Sequence, residues 1–431
     1  MKLKRFFTGV ILGAAFFVSL GSLALATPIE LSLDDCISSA VKNNSTVKTA
    51  EEDKEKNRWA INEAKGNKGL SLNYTNTDYR KETASSSGNA NSSSPYNLYN
   101  HQIVLSLPLY SGGKLENLVD QSQLNYKVSE LTVAATKQQI KFNATSAYYQ
   151  VLQYNNLVKA DQASVDDYTL HLANLQHEYE AGLASKLDVL QTQVSLANAQ
   201  QSLTKDQTTY RIALMNLNNI MGLLPNTEVV LKEELKYEKT PLSLEECLNY
   251  ALKNRPEIEI NKNNVAIAKA DVKIAESGKL PTLTLSGYDA WQSQQWPGTK
   301  YHYFSEYLTV SFNIFDSGVV KAKENQAAAA LRKAQENNRQ ISNTIYVNVS
   351  QYYLNMKEAE KRIETSSVSV SEAQEALGIS KVRFQSGLGT NQDVLDAEVA
   401  LTTAKNNYVQ ALYDYNVDKA GLEEAMGIEV K

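Results

Sequence analysis

Apolar residues recur at every seventh position through two long stretches of the chain, and the pattern is written twice. Ala144, Val151, Val158, Val165, Leu172 and Tyr179 keep this spacing. Val349, Met356, Ile363, Val370, Leu377 and Phe384 repeat it 205 residues later. The segments that follow do likewise, with Val189, Leu196, Leu203, Tyr210 and Leu217, then Val394, Leu401, Tyr408, Tyr415 and Leu422. A sustained seven-residue repeat predicts helices in left-handed coiled-coil packing. After Gly112-Gly113 and after Gly318 the helical pattern runs unbroken for about 65 residues, roughly 100 Å at 1.5 Å per residue. No compact domain holds such a helix, so other helices must support it along its length. Elsewhere the period drops to two. Ile103, Leu105, Leu107 and Leu109 alternate with Val104, Ser106, Pro108 and Tyr110, and Leu308, Val310, Phe312 and Ile314 keep the same parity at offset 205. Partner strands hold Leu70, Leu72 and Tyr74, and Leu283 and Leu285. This alternation predicts β-strands with two unlike faces.

The whole chain is a tandem duplication. Leu31-Ser-Leu-Asp-Asp-Cys36 returns as Leu242-Ser-Leu-Glu-Glu-Cys247 at offset 211, and Met221-Gly222 returns as Met426-Gly427 at offset 205. The six-residue difference falls in one loop, between the strands. The reading is a signal peptide at 1–26, a first structural repeat at 27–222, a linker at 223–241 and a second repeat at 242–431. Each repeat opens at a capping-box signature, Ser32 with Asp35 and Ser243 with Glu246. Helix is expected from there to about Lys65 and Gly278, then two strands, a very long helix, a tight turn and a long return helix. Arg80–Asn97, rich in Ser and Asn, reads as an exposed loop, and Asp289–Tyr303, with Trp291 and Trp296, as its aromatic counterpart. Aromatic residues at the ends of alternating strands fit a membrane interface, a soluble sandwich core being the alternative.

Composition adds the compartment. Lys2, Lys4 and Arg5 precede an uncharged apolar run from Phe6 to about Leu23 and an Ala24-Leu25-Ala26 end, the form of a cleaved export signal. The remaining residues, about 405, contain no second apolar stretch long enough for a membrane helix. Loss of those three charges takes the net charge from −5 to −8, which argues against nucleic acid as a partner. Cys36 and Cys247 occupy the same place in the two copies and read as small core residues. Glycine and proline are sparse, at 19 and 8, as long helices require, yet tyrosine reaches 24, beyond the needs of a coiled coil. Four membrane strands cannot close a barrel, since an open edge is forbidden in lipid and the smallest barrels have eight. The expectation is therefore that several copies share one barrel.

At this point the residues resemble a known family. The start of the exported chain through Ile61-Asn-Glu-Ala64, Leu107-Pro-Leu-Tyr-Ser-Gly-Gly113, and both Gly-Leu…Asp-Val-Leu turns are similar to the TolC-like outer-membrane efflux proteins. The resemblance implies a mainly α protein with a small β part: tandem-duplicated long α-helical hairpins forming a coiled-coil tunnel, plus four strands per protomer in a shared trimeric 12-stranded β-barrel. It implies an exit duct in the outer membrane with a long periplasmic extension, serving a tripartite efflux or type I secretion system. The implied partners are two further copies (a homotrimer), a periplasmic adaptor (membrane fusion) protein, an inner-membrane pump or ABC exporter, and outer membrane lipid.

The two turns carry the candidate sites. Gly182 and Gly387 end the long helices as C-caps, where glycine accepts positive φ. The resemblance makes exposed Leu183 and Leu388 the knobs that an adaptor grips. Some family members lock the closed tip with an aromatic hydroxyl and an arginine beside the second turn; Phe384 and Gly389 stand there in this chain, next to the gate. Ser185 with Asp188 and Thr390 with Asp393 have capping-box spacing, so a structural role suffices for both aspartates. Asp396 has Gln191 as its counterpart in the first half, so the fold does not demand a carboxylate there. On a threefold axis, with Asp393 and Asp188 nearby, it would form the pore constriction and selectivity ring. At about 6 Å and an effective dielectric near 20, each pair in such a ring repels by roughly 3 kcal/mol. A solvated surface carboxylate is the alternative.

His101, His171, His177 and His302 have no metal spacing and read as interface or surface residues. No P-loop, H-E-x-x-H or G-x-S-x-G is present, so no enzyme, cofactor or metal site is expected. The rival reading is a secreted structural coiled-coil protein without a channel.

Overall fold

The computed structural model describes residues 29–81 and 95–430. The export signal and most of the Ser/Asn-rich tract lie outside the described residues. The first repeat runs β1 (Ile29–Leu31), α1 (Leu33–Asn43), α2 (Ser45–Gly66), β2 (Ser71–Lys81), β3 (Tyr96–Tyr110), α3 (Lys114–Glu180) and α4 (Lys186–Ile220). The linker contributes β4 (Val229–Leu231), and the second repeat follows as α5 (Leu244–Asn254), α6 (Pro256–Glu276), β5 (Thr282–Ser293), β6 (Tyr301–Ser311), α7 (Val319–Gln385) and α8 (Asn391–Met426).

Three expectations need correction. The first helix of each repeat is two helices, because Asn44 and Arg255 adopt extended backbone, with ψ of 132° and 125°. Each begins a new helix. Asn44 Oδ1 accepts the Thr46 amide at 2.8 Å, and Pro256 takes the first-turn position where its missing N–H costs nothing. The described residues hold six strands, not four. β1 and β4 form a separate parallel pair in which Ile29, Glu30 and Leu31 face Val229, Val230 and Leu231. Both loops are also narrower than expected, since Arg80 belongs to β2 and Asn97 to β3, and Trp291 belongs to β5 and Tyr301–Tyr303 to β6.

The main sheet is antiparallel in the order β2-β3-β5-β6. Its inner hairpins keep one register in both repeats: Leu72 faces Leu105, and Leu283 faces Val310, at offsets 211 and 205. One face carries Leu72, Tyr74, Ile103, Leu105, Leu285 and Leu308, with Asp78, Arg80, Asp289 and Glu306 among them; the other carries Ser71, Asn73, Thr75, Gln102, Ser286 and Thr309. An apolar outer face and a polar inner face are what a water-filled membrane barrel needs. Pro108 sits at the end of β3 beside a register shift between Pro108 and Tyr110, where the ladder gives way and a missing N–H is tolerated. Gly112 follows at φ 64°, and a Cβ there would lie 2.9 Å from both Leu280 Cβ and the Ser277 carbonyl. Only glycine fits.

Both long helices span 67 residues. Near the sheet the helices pack in the order α2, α3, α6, α7; towards the turns the order is α4, α3, α8, α7. In the second hairpin Val349, Met356, Ile363 and Leu377 are buried against Val394, Leu401, Tyr415 and Leu422, as the heptads predict. The first hairpin differs near its turn. There α3 lies between α4 and α8, so a second stripe, Asp161, Tyr168 and Leu175, is buried. Val158, Val165 and Leu172 are only half-buried, and Tyr179 is exposed with Lys186 Nζ 5.6 Å from its ring centre. Where the two hairpins meet the linker, Cys36 and Cys247 enter one core with Tyr148, Leu217, Met356 and Tyr415.

Both ends of the protomer's wall are apolar and bare. Val347, Leu354, Val368 and Val382 form an exposed stripe on α7 at multiples of seven. Leu187, Val194 and Met215 do the same on α4.

Candidate functional site

The turn end of the hairpins collects the sequence-derived candidates. Gly182 (φ 75°) and Gly387 (φ 71°) adopt the left-handed conformation, and the amides of Leu183 and Leu388 return to the carbonyls of Glu178 and Arg383 at 2.7 and 2.9 Å. This wrapping leaves both leucines projecting, 81% and 74% exposed. Ser185 and Thr390 start the return helices with complete capping boxes. Asp188 accepts from the Ser185 amide at 3.2 Å, and Asp393 from the Thr390 amide at 2.8 Å. That amide, with the Thr390 hydroxyl, holds the Asp393 carboxyl below the usual carboxylate range. Asp188 and Asp393 are thus tied to their own turns. Asp396, one turn further on, is exposed and accepts from Gln392 Nε2 at 2.7 Å.

Gly389 has a steric reason. A Cβ would stand 3.2 Å from Arg383 Cβ and 3.3 Å from the Phe384 nitrogen. Arg383 closes the turn from the other side, donating from Nη2 to the Leu388 carbonyl at 3.2 Å.

The structure adds residues the sequence did not single out. Asn391, 2% exposed, joins three helices: its Oδ1 accepts from His171 Nε2 of α3 at 2.7 Å, and its Nδ2 donates to the Asp188 carbonyl and to Thr192 Oγ1 of α4 at 3.3 and 3.2 Å. Phe384 of α7 meets the His171 ring edge-on at 5.5 Å. Lys381 lies 3.4 Å from Asp167 of α3 and 4.0 Å from Glu398 of α8. Glu398 is 4% exposed; burial, then repulsion from Asp167, pushes its carboxyl up to about 6 against the pull of Lys381. These groups border a cleft of about 300 Å³ between α3 and α7, lined by Asp167, His171, His177, Lys381 and Phe384. His171 is therefore an inter-hairpin contact and no surface residue. The signal was there in the asymmetry of the repeats: Asn391, His171, Glu398 and Thr192 stand opposite Lys186, Ala376, Gln193 and Ala397 in the other copy. Among the described residues no group of His, Cys, Asp or Glu is placed to hold a metal ion, and no helix is long and apolar enough to cross a membrane.

A duplicated pair of helical hairpins some 100 Å long, mounted on a four-stranded sheet with one apolar and one polar face, defines the class of outer-membrane exit ducts. The chain matches the outer membrane efflux protein family over residues 36–223 and 247–428, and it belongs to that family. It is 22% identical over 373 residues to the outer membrane protein TolC of Escherichia coli (strain K12), a match covering 83% of this chain and 74% of TolC. It is 23% identical over 305 residues to the pyoverdine export outer membrane protein OpmQ of Pseudomonas aeruginosa, covering 70% of this chain and 64% of OpmQ. The fold superimposes on the Campylobacter jejuni CmeC outer membrane channel with a TM-score of 0.81 at 17% identity, over 92% of this chain and 85% of CmeC. The protein is accordingly an exit duct of the outer membrane, of the kind that serves efflux and type I secretion.

Proposed function

We propose that three copies of this chain close a twelve-stranded barrel and a helical tunnel that extends into the periplasm, where it meets an adaptor protein and an inner-membrane pump or ABC exporter. The observation that carries this reading is the pair of bare flanks on each protomer. β2 and β6 are edge strands of 11 residues each, and an unpaired edge does not persist in lipid. The stripes on α7 and α4 lie on opposite flanks of the same wall, so the α7 of one copy meets the α4 of the next, and a ring closes. Leu183 and Leu388 are the apolar knobs offered to the adaptor. The duct performs no catalysis; the pump supplies the energy. Asp396 faces the narrowing tunnel near the turns, attracting cations, with Asp188 and Asp393 set behind it in their caps.

Mass measurement on detergent-extracted protein tests this: a trimer is expected, and a monodisperse monomer with intact sheet and helices would overturn it. In planar bilayers the trimer should conduct, and a protein that forms no pore leaves the secreted structural reading in its place.

A further inference from the structure

The sheet contains the template for its own continuation. Within each repeat the hairpin register is identical at the two offsets, 211 for the leading strand and 205 for the following one, so β2 and β5 are equivalent, as are β3 and β6. The one pairing between repeats is β3 on β5: Ser106 faces Ser286, Val104 faces Tyr288 and His101 faces Trp291, with one extra residue between Pro108 and Tyr110. The outer edges β6 and β2 are the equivalents of β3 and β5, and among the described residues no further strand pairs with either.

We infer that β6 of one protomer pairs antiparallel with β2 of the next in the register of β3 on β5, which sets Glu306 directly opposite Arg80 of the partner subunit. The inference rests on the trimeric reading above and fixes its seam residue by residue. Transferring the β3–β5 pairing at the two offsets puts Phe312 against Tyr74 of the partner subunit and Thr309 against Thr77 of the partner subunit. Ile314 becomes the extra residue and Phe315 falls against Leu72 of the partner subunit.

Independent features of the edges agree with this register. Phe312, Ile314 and Phe315 are exposed in the protomer, as are Leu72 and Tyr74, so the apolar ends of the two edges meet. Aromatic and apolar pairs directly across an antiparallel ladder are the favourable ones. Parity is preserved, because Glu306 and Arg80 both fall on the face that carries Leu308 and Leu72. Charge is complementary too. Glu306 stands opposite Gly287 inside its own sheet, and among the described residues neither it nor Arg80 has an ion-pair partner. Gly287 has no side chain to compete for the space. A carboxylate on a barrel's outward face is costly unless paired, and the register delivers a guanidinium to it. A slip of two residues retains the faces but sets Glu306 against Asp78 of the partner subunit, bringing like charges together.

Cysteine pairs in the full-length protein test the register. Directly opposed residues have Cα atoms about 4.5–5.5 Å apart, within disulfide range, whereas diagonal neighbours are about 7–8 Å apart and outside it. The native thiols do not compete, since Cys36 and Cys247 are both buried. Under mild oxidation Thr77→Cys with Thr309→Cys should give covalent dimers and trimers, and Thr75→Cys with Thr309→Cys should not. The reverse pattern, or no cross-link in a protein whose mass is that of a trimer, overturns the register and leaves the trimer standing. A monomeric mass removes both. Charge reversal addresses the ion pair separately. Glu306→Arg and Arg80→Glu alone should each at least halve the fraction of trimer surviving heating, and the double exchange should restore it. Failure of the double exchange, with the cross-link intact, overturns the Glu306–Arg80 contact.

Discussion

Asn44 ties one helix end to another: its Nδ2 donates to the Ile220 carbonyl at 2.9 Å while its Oδ1 caps the start of α2. The C-terminus of α4 and the N-terminus of α2 thereby meet end to end beside the continuous α3. In the second repeat Arg255 takes the equivalent place, donating from Nη1 to the Ala425 carbonyl at 3.4 Å and pairing with Glu424 at 3.2 Å. The Asn44 side chain answers two unsatisfied helix ends at once, whereas that of Arg255 answers only the end of α8. Asn44→Ala should cost about 1–2 kcal/mol in chemical denaturation, the loss of a cap. Asn44→Asp, which keeps the cap but loses the donor, should recover part of it.

Asn391 should control how firmly the two hairpins hold together at the turns. It is buried with every polar atom engaged, so Asn391→Ala leaves the His171 donor without its partner and removes the amide that Thr192 accepts, while Thr192 still donates to the Asp188 carbonyl. A loss of about 1–3 kcal/mol is expected, together with more frequent spontaneous opening in planar bilayers. Phe384→Ala, which removes the ring packed on His171, should act in the same direction. Unchanged opening in both variants would separate this junction from gating.

The buried carboxylates predict a pH dependence. Burial first, then like charge, pushes Glu398, Asp161 and Asp418 each up to about 6. Unfolded, such groups titrate near about 4. The folded protein therefore binds more protons between those values, and stability falls as pH rises through about 6. Urea midpoints followed by helical circular dichroism should decline between pH 5 and 7.5. Glu398→Gln should match the parent at pH 4.5 and exceed it at pH 8.

Asp396 and the capping residues should separate cleanly. Asp396→Asn should reduce cation selectivity and weaken block by multivalent cations, with little effect on folding, since Gln191 fills the equivalent place in the first repeat. Ser185→Ala or Thr390→Ala should each cost about 1 kcal/mol of stability without changing selectivity. Single-channel recording beside denaturation distinguishes the two. Selectivity unchanged in Asp396→Asn would return that carboxylate to the solvated surface.

Cys36 and Cys247 should resist modification in the native protein. Both are free and fully buried in one core, and burial, reinforced by Asp35 and Glu233, pushes the Cys36 thiol up to about 12. Maleimide should label neither until denaturant is added, when mass should rise by two adducts.

What the sequence revealed followed from periodicity and from reading one copy against the other. The 67-residue helices, the strand parity and the glycine-capped turns each rest on patterns within a few residues or on repeat matches, and all are legible without coordinates. The parallel pair β1–β4 is not. Three residues show no period, and Ile29 and Val229 meet only through the tertiary fold. The breaks at Asn44 and Arg255 were hidden because helical composition continues on both sides, although Pro256 marked the second. Trp291 reads as a loop residue from sequence because aromatic residues at strand ends look alike whether or not the ladder continues. The inter-hairpin residues at the turns were missed for another reason. Asn391 sits where local logic asks only for a first-turn residue, and its burial comes from α3 and α4, far away in sequence.

The end-to-end junction at Asn44 has a mechanical consequence. The wall is a palisade in which alternate staves differ: α3 and α7 are whole, while their neighbours are spliced at one level, α4 to α2 and α8 to α6. A whole helix resists bending along its full length, whereas a splice held by a side-chain amide or an ion pair yields first. On the proposed adaptor contact, torque at Leu183 and Leu388 would be taken up first at the splices, below the sheet. The far end would then dilate while the strands keep their registry with the lipid.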